Sequence, residues 1–201
     1  MKIKRFVNPF LDSNTYLVEY AVNEFIVIDP CDNKSFFNYL ENKFIEIKLI
    51  CLTHEHFDHI SGTNRLKQIY PNSKIVSTEY CSLAITDPKK NLSFFHNNNY
   101  KSVSSDITIK EPNSIKLKDQ LKLKLYPFEG HSAGGMFIKI KKAIFVGDQF
   151  INKTKTVTKL PGGSEVKLKE SFFYLKKNLD KKVIIYPGHG ESFSIENLRI
   201  W

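Results

Sequence analysis

Five of the six histidines in this chain sit in short glycine- or histidine-rich signatures. Thr53-His54-Glu55-His56-Phe57-Asp58-His59 packs three imidazoles and two carboxylates into seven residues, with the spacing His-x-His-x-Asp-His. His131 stands in Glu129-Gly130-His131-Ser132, and His189 in Tyr186-Pro187-Gly188-His189-Gly190. Imidazole is the commonest protein ligand for zinc-like ions near neutral pH. Imidazole and carboxylate without thiolate suit zinc, iron or manganese. With Asp148 added, the set His54, His56, Asp58, His59, His131, Asp148 and His189 exceeds what one tetrahedral zinc can use. Two divalent ions sharing one carboxylate would use them all. Such pairs, about 3.5–4 Å apart, clamp a bridging hydroxide and the oxygens of a transition state. Zinc is the expected metal, with iron or manganese as alternatives.

The elements that must position these groups follow from the apolar pattern. Alternating or continuous apolar runs predict strands at Lys2–Phe6, Thr15–Tyr20, Phe25–Ile28, Ile47–Leu52, Lys74–Ser77, Leu121–Phe128, Met136–Ile140, Ala143–Val146 and Lys182–Tyr186. Helical spacing predicts Asn33–Phe44, with Phe36, Phe37, Leu40 and Phe44 on one side. It also predicts Thr63–Tyr70 through Leu66 and Ile69, and Ser164–Leu179 through Leu168, Phe172, Leu175 and Leu179, capped by Ser164. This order implies an α/β fold, a four-layer αβ/βα sandwich with two sheets inside and helices outside. One domain over residues 1–201 is expected from length.

Four strands end just before a candidate ligand: His54, His131, Asp148 and His189. Sites in open sheets form beyond strand carboxyl ends, so distant residues converge. Glycines at 130, 147, 188 and 190 allow tight turns there. The polar stretch Asp87–Ile109 predicts a long exposed loop or insertion near the mouth. His96 reads as a solvated loop residue, and Phe94-Phe95 as a lid or plain packing. Phe10, Phe57 and Tyr16 could line the mouth or belong to the core. Gly162-Gly163 is a helix lead-in or a substrate loop.

Composition narrows the class. Three sparse cysteines, Cys31, Cys51 and Cys81, suggest neither a disulfide framework nor a thiolate metal site. The basic N-terminus lacks a signal-peptide core, and no apolar run is long enough to span a bilayer. A cytoplasmic protein with no membrane partner is the expectation. The net charge of +9 could attract an anionic small-molecule substrate or nucleic acid. The lysines look scattered along the chain, so no nucleic-acid partner is expected.

The motifs, from Asp29-Pro30 to Pro187-Gly188-His189-Gly190, resemble the metallo-β-lactamase superfamily over nearly the whole chain. The resemblance implies one metal held by His54, His56 and His131. It implies a second held by Asp58, His59 and His189, with Asp148 bridging and Asp29 orienting ligands from behind. Asp58 is also the implied catalytic residue, orienting the nucleophile or taking its proton. An aspartate at 148 departs from true β-lactamases, and a histidine at 56 departs from flavodiiron oxidoreductases. The interval from Asp148 to His189 is too short for the extra domain of the RNA-processing nucleases. Leu160-Pro161-Gly162-Gly163-Ser164 and the Pro187–Gly190 turn resemble small glyoxalase II-like hydrolases. The implied reaction is hydrolysis of thioesters of the hydroxyacylglutathione type. The sequence ends at Trp201, so the resemblance does not extend to the helical extension that binds glutathione in glyoxalase II. The alternatives are a lactonase or phosphodiesterase of the same fold, a mononuclear iron persulfide dioxygenase, and a non-catalytic metal-stabilised accessory protein.

Overall fold

The computed structural model describes residues 1–41 and 43–200. Among these described residues, twelve strands form two six-stranded mixed sheets. The first sheet contains β1 (Lys2–Val7), β2 (Asn14–Ala21), β3 (Glu24–Ile28), β4 (Glu46–Cys51), β5 (Lys74–Thr78) and β6 (Ile107–Ile109), in that spatial order. β1 to β3 are antiparallel neighbours, and β3 to β6 run parallel. The second sheet contains β7 (Asn113–Lys116), β8 (Lys122–Pro127), β9 (Met136–Ile140), β10 (Ala143–Gly147), β11 (Ile184–Pro187) and β12 (Phe193–Ser194). Its β10 and β11 run parallel, and its other pairs are antiparallel.

The layers follow from which faces are apolar. Val18, Ile26, Leu49 and Val76 of the first sheet pack on Leu123, Leu125, Ile138 and Phe145 of the second, forming the central core. α1 (Lys34–Glu41), α3 (Thr63–Ile69) and α4 (Glu79–Ala84) cover the outside of the first sheet. Their Phe36, Phe37, Leu40, Leu66 and Cys81 meet Val27, Ile50 and Ile75. α5 (Glu165–Asn178) covers the second sheet by seating Leu168 and Leu175 on Phe137, Ile144 and Ile185. Ser164 caps it by accepting a hydrogen bond from Lys167 N. The expected αβ/βα sandwich is the observed fold.

Some helix boundaries differ from expectation. Asn33 is not the start of α1 but its lead-in, its side chain accepting from Ser35 N and Phe36 N. α1 ends at Glu41; residue 42, within the expected helix, lies outside the described residues. Phe44 is 95% exposed rather than part of the helix's buried side. Ile69 is also exposed, because only Leu66 and Thr63 of α3 reach the core. β6, β7, β12, α4 and the single turn α2 (Phe57–Ile60) were not expected. The stretch Asp87–Ile109 is only partly an exposed loop. Its Asn91 is buried; the side-chain amide donates to Ile85 O and Tyr100 O, and the backbone carbonyl accepts from Phe57 N.

Candidate metal centre

Every expected ligand lies just past the carboxyl end of a strand. His54, His56, Asp58 and His59 follow β4, with Asp58 and His59 on α2. His131 follows β8, Asp148 follows β10, and His189 follows β11. The structure brings all seven together. The ligand atoms of His54, His56 and His131 lie within 4.8 Å of one another, and those of Asp58, His59 and His189 do likewise. His131 Nε2 is 3.0 Å from His56 Nδ1. In the second group, Asp58 Oδ2 lies 3.2 Å from His59 Nε2 and 3.3 Å from His189 Nε2. Asp148 spans both: it stands 3.3 Å from His189 Nε2, 3.4 Å from His59 Nε2 and 3.7 Å from His131 Nε2.

The donor set fits a divalent cation. His54 Nε2, His56 Nε2, both ring nitrogens of His59 and Asp148 Oδ1 are buried without a hydrogen-bond partner. Buried polar atoms are nearly always partnered; His59 Nδ1 faces Asp29, and the other four belong to the ligand groups around Asp148. The backbone is built for close approach. A Cβ on Gly188 would overlap Asp148 Oδ1 and come 2.8 Å from His59 Cε1. Gly147 turns the chain into Asp148 with φ +53°, a conformation that favours glycine.

Charge is distributed unevenly between the groups. Burial alone would discharge His59 and His189, but Asp58 and Asp148 outweigh it. His59 is held well above the usual imidazole value, and His189 is raised to about 9. Burial, then neighbouring imidazoles, pushes His54 well below that value and His56 to about 3. Burial opposes the charge on Asp58 and Asp148, yet His59 and the other imidazoles hold both low.

A surrounding layer fixes these side chains. Asp29 Oδ1 accepts from Thr53 N at 2.7 Å, and its Oδ2 accepts from Thr53 Oγ1 at 2.6 Å. Thr53 Oγ1 is 3.0 Å from His54 Nδ1, and Asp29 Oδ2 is 3.4 Å from His59 Nδ1. Asp29 thus lies behind both groups, where the resemblance places it. His131 Nδ1 is 2.7 Å from Val157 O, which turns Nε2 inward.

Sequence reasoning missed several supports. Ser13 Oγ and Cys31 Sγ both donate to Asp58 O, at 2.8 and 2.7 Å. Asn14 Nδ2 donates to Pro187 O and Gly190 O, gripping the turn that carries His189. Gln149 Oε1 accepts from His131 N, and its Nε2 donates to Phe128 O and Glu129 O. Glu55 is buried and accepts from Ser132 Oγ at 3.0 Å, joining two ligand loops; burial pushes its carboxyl up to about 7. The only available signals were adjacency: Glu55 between two ligands and Gln149 after Asp148.

The residues considered for the mouth separate. Phe10, Phe57 and His96 border a cavity of about 300 Å³ beside α2. Tyr16 is instead core, donating to Pro187 O. His96 is exposed and meets Phe10 edge-on at 5.3 Å. Phe94 and Phe95 remain exposed. Gly162-Gly163 form a turn whose next residue, Ser164, donates through its N to Gly130 O. All three cysteines are free and buried.

A family model described as the metallo-beta-lactamase superfamily matches residues 8–189. The chain belongs to that superfamily. Over 97% of its length it is 27% identical to a probable metallo-hydrolase of Streptococcus pyogenes, covering 86% of that protein. It is 27% identical to a hydroxyacylglutathione hydrolase of Pelagibacter ubique over 89% of this chain and 66% of that one. A shorter stretch, 37% of the chain, is 40% identical to hydroxyacylglutathione hydrolase of Francisella tularensis but spans only 30% of it. Among solved structures, the fold matches the BLEG-1 B3 metallo-beta-lactamase with TM-score 0.87 and 20% identity, covering 98% and 95% of the two chains. It also matches a protein solved in a di-iron-bound form, with TM-score 0.80, 20% identity, and 96% and 95% coverage. These metallo-beta-lactamase folds share the sandwich described above. No helix among the described residues is long and apolar enough to cross a membrane.

Proposed function

We propose that this chain is a hydrolase with two divalent cations, acting on thioesters of the hydroxyacylglutathione type. The observation that carries the reading is the pair of three-residue groups joined by Asp148. His54, His56 and His131 would hold one cation, and Asp58, His59 and His189 the other, with Asp148 shared. Zinc is the metal the donor set suits first, with iron or manganese as alternatives. When bound, the cations supply Lewis acidity, lowering the pKa of water and polarising a carbonyl oxygen.

The chain's own residues do the rest. Asp29, Thr53 and Val157 O lock the rings of His54, His59 and His131, so little reorganisation is required at the moment of reaction. Asp58 and His189 are the most solvent-open members of the second group, so substrate approaches from their side. In this reading Asp58, at the open edge of the second group, orients the attacking water or takes its proton. Attack forms a C–O bond to the carbonyl carbon and breaks the C–S bond. The leaving thiolate then takes up a proton to give acid and thiol. The cavity beside α2 offers a mixed wall for part of the substrate, aromatic at Phe10, Phe57 and Tyr100 and polar at Asn8, Asp32 and His96.

The similarity to hydroxyacylglutathione hydrolases supports the thioester class. The test is turnover of S-lactoylglutathione by metal-loaded protein, before and after chelation. Chelator-sensitive turnover supports the reading. A His54→Ala or Asp148→Ala protein that kept full activity with the parent's metal content would overturn it. Turnover of lactones or phosphodiesters alone would keep the centre and move the substrate class.

A further inference from the structure

The net charge is confined to one half of the chain. Residues 1–100 carry eleven basic and eleven acidic side chains, whereas residues 101–201 carry nineteen against ten. Those later residues supply the second sheet and α5. Lysines that read as scattered in sequence gather there in space. In β8 the burial alternates, with Leu123 and Leu125 in the central core and Lys122 and Lys124 exposed on the opposite face. The strand register places Lys116 directly opposite Lys122 and Lys124 directly opposite Lys139. Beside them, Lys139, Lys141, Lys142 and Lys182 line a cavity of about 440 Å³ between the β9–β10 turn and the end of α5. Its one acidic side chain, Asp180, accepts from Lys182 N at 2.7 Å and is partly committed to that turn.

Like charges directly opposite each other across two strands are destabilising. Elsewhere on this half, Lys118 and Lys167 relieve their charge on Glu24 and Glu129. None of Lys116, Lys122, Lys124, Lys139, Lys141, Lys142 and Lys182 forms an ion pair among the described residues. Partial burial, and then Lys124, lowers the pKa of the Lys139 ammonium. Lys139 Nζ donates to Lys141 O, but no carboxylate meets these ammonium groups on β7–β9 and the turns beside them, and such a concentration of cations is what a polyanion neutralises.

The patch lies at the end of the sandwich opposite the metal centre. Lys142 and Lys182 lie just before β10 and β11, whose far ends lead to Asp148 and His189. A strand the length of β10 separates these ends by roughly 17 Å. No aromatic side chain lines the cavity, so nothing there can stack on an unpaired base. The nearest outward aromatic on β8, Tyr126, packs on Tyr174 instead. Nor does the cavity present an exposed large apolar side chain to enter a bilayer. What remains is point charge around a concave cleft, suited to a phosphate backbone.

We propose that this lysine-lined end binds the sugar-phosphate backbone of a nucleic-acid duplex, without reading bases and apart from the metal centre. The probe is a labelled DNA duplex of about 20 base pairs, in two unrelated sequences, followed by anisotropy from about 50 to 200 mM salt. Binding is expected to be equal for both sequences. Its affinity should fall with salt with a log–log slope of about −3 to −5, as for some four or five phosphate contacts. Lys124→Glu with Lys182→Glu should weaken binding tenfold or more at low salt. This variant turns one like-charge pair into an opposite-charge pair, so its Tm should equal or exceed the parent's. Lys142→Ala with Lys182→Ala tests the cleft without reversing charge and should weaken binding to a smaller degree. The charge-matched control, Lys34→Glu with Lys90→Glu, lies on the balanced half and should bind like the parent. Equal losses in patch and control variants would overturn the proposal in favour of net charge alone. So would absence of salt-dependent binding by the parent, or binding to phosphatidylserine vesicles but not to duplex.

Discussion

The two halves of the metal centre are built from different chemistry. His54, His56 and His131 form an all-imidazole group, buried, and two of its rings are held neutral. Asp58, His59 and His189 form a mixed group, more open to solvent, in which carboxylates hold protons on both rings. One side is a closed cradle in which His54 Nε2 and His56 Nε2 are buried without a hydrogen-bond partner. The other is a charged, accessible one in which a cation must compete with protons. Asp148 couples them, and Asp29 stands behind one ring of each. The comparison teaches that equal ligand counts do not make equivalent sites. The closed side suits retention of a cation, and the open side suits exchange and contact with substrate.

The largest expected effect comes from the shared carboxylate. Asp148→Ala should lose both cations and lower kcat/KM by about 10³ or more, the size of several kcal/mol of transition-state charge stabilisation. Metal content and hydrolysis measured together check it; retention of two equivalents would break the coupling of the halves.

Next come the separate ligands. His54→Ala should abolish the tighter of two metal-binding events in a titration, and His189→Ala the weaker. Identical titrations for the two variants would remove the distinction between closed and open sides.

The pH response sharpens it further. His189, raised from an ordinary 6.5 to about 9, stabilises the chelated protein fully below its unfolded value. That contribution is lost as pH rises through about 9, so Tm of chelated protein should fall between about pH 7 and 9. Cation affinity of the open side should rise across the same window, because bound protons must leave. The buried His54 and His56 have no proton to surrender there, so the closed side should contribute no such slope from these rings. Calorimetry in buffers of different ionisation enthalpy measures the protons released.

The smallest of these effects is expected from Asp29→Asn. It keeps the shape but weakens the hold on Thr53 and His59, and should lower metal affinity or activity about 10–100-fold. A loss confined to one of the two binding events would show that Asp29 serves one half alone.

The parts of this arrangement legible in the sequence were those encoded locally. His54 through His59 occupy consecutive positions after an apolar run, and His131, Asp148 and His189 each follow another such run. Strand-then-ligand is a short-range pattern, so convergence could be anticipated. The supports were not legible, because they act across the fold. Ser13 and Cys31 reach Asp58 from 45 and 27 residues away, and Asn14 reaches the His189 turn from more than 170. Nothing in their own neighbourhoods marks them. β6 and β12 are too short, at three and two residues, to show a period. Phe44 and Ile69 continued a helical spacing beyond what the helices bury, where periodicity alone cannot say that packing has ended. The lysine patch was hidden for a related reason: Lys124 and Lys139 become neighbours only through strand register.

The most direct test of the central claim is the metal stoichiometry of the purified full chain, by elemental analysis after loading and desalting. The account predicts two equivalents of a zinc-like ion per chain, falling to about one in His189→Ala. One equivalent in the parent, or none, would contradict a centre built from two groups around Asp148.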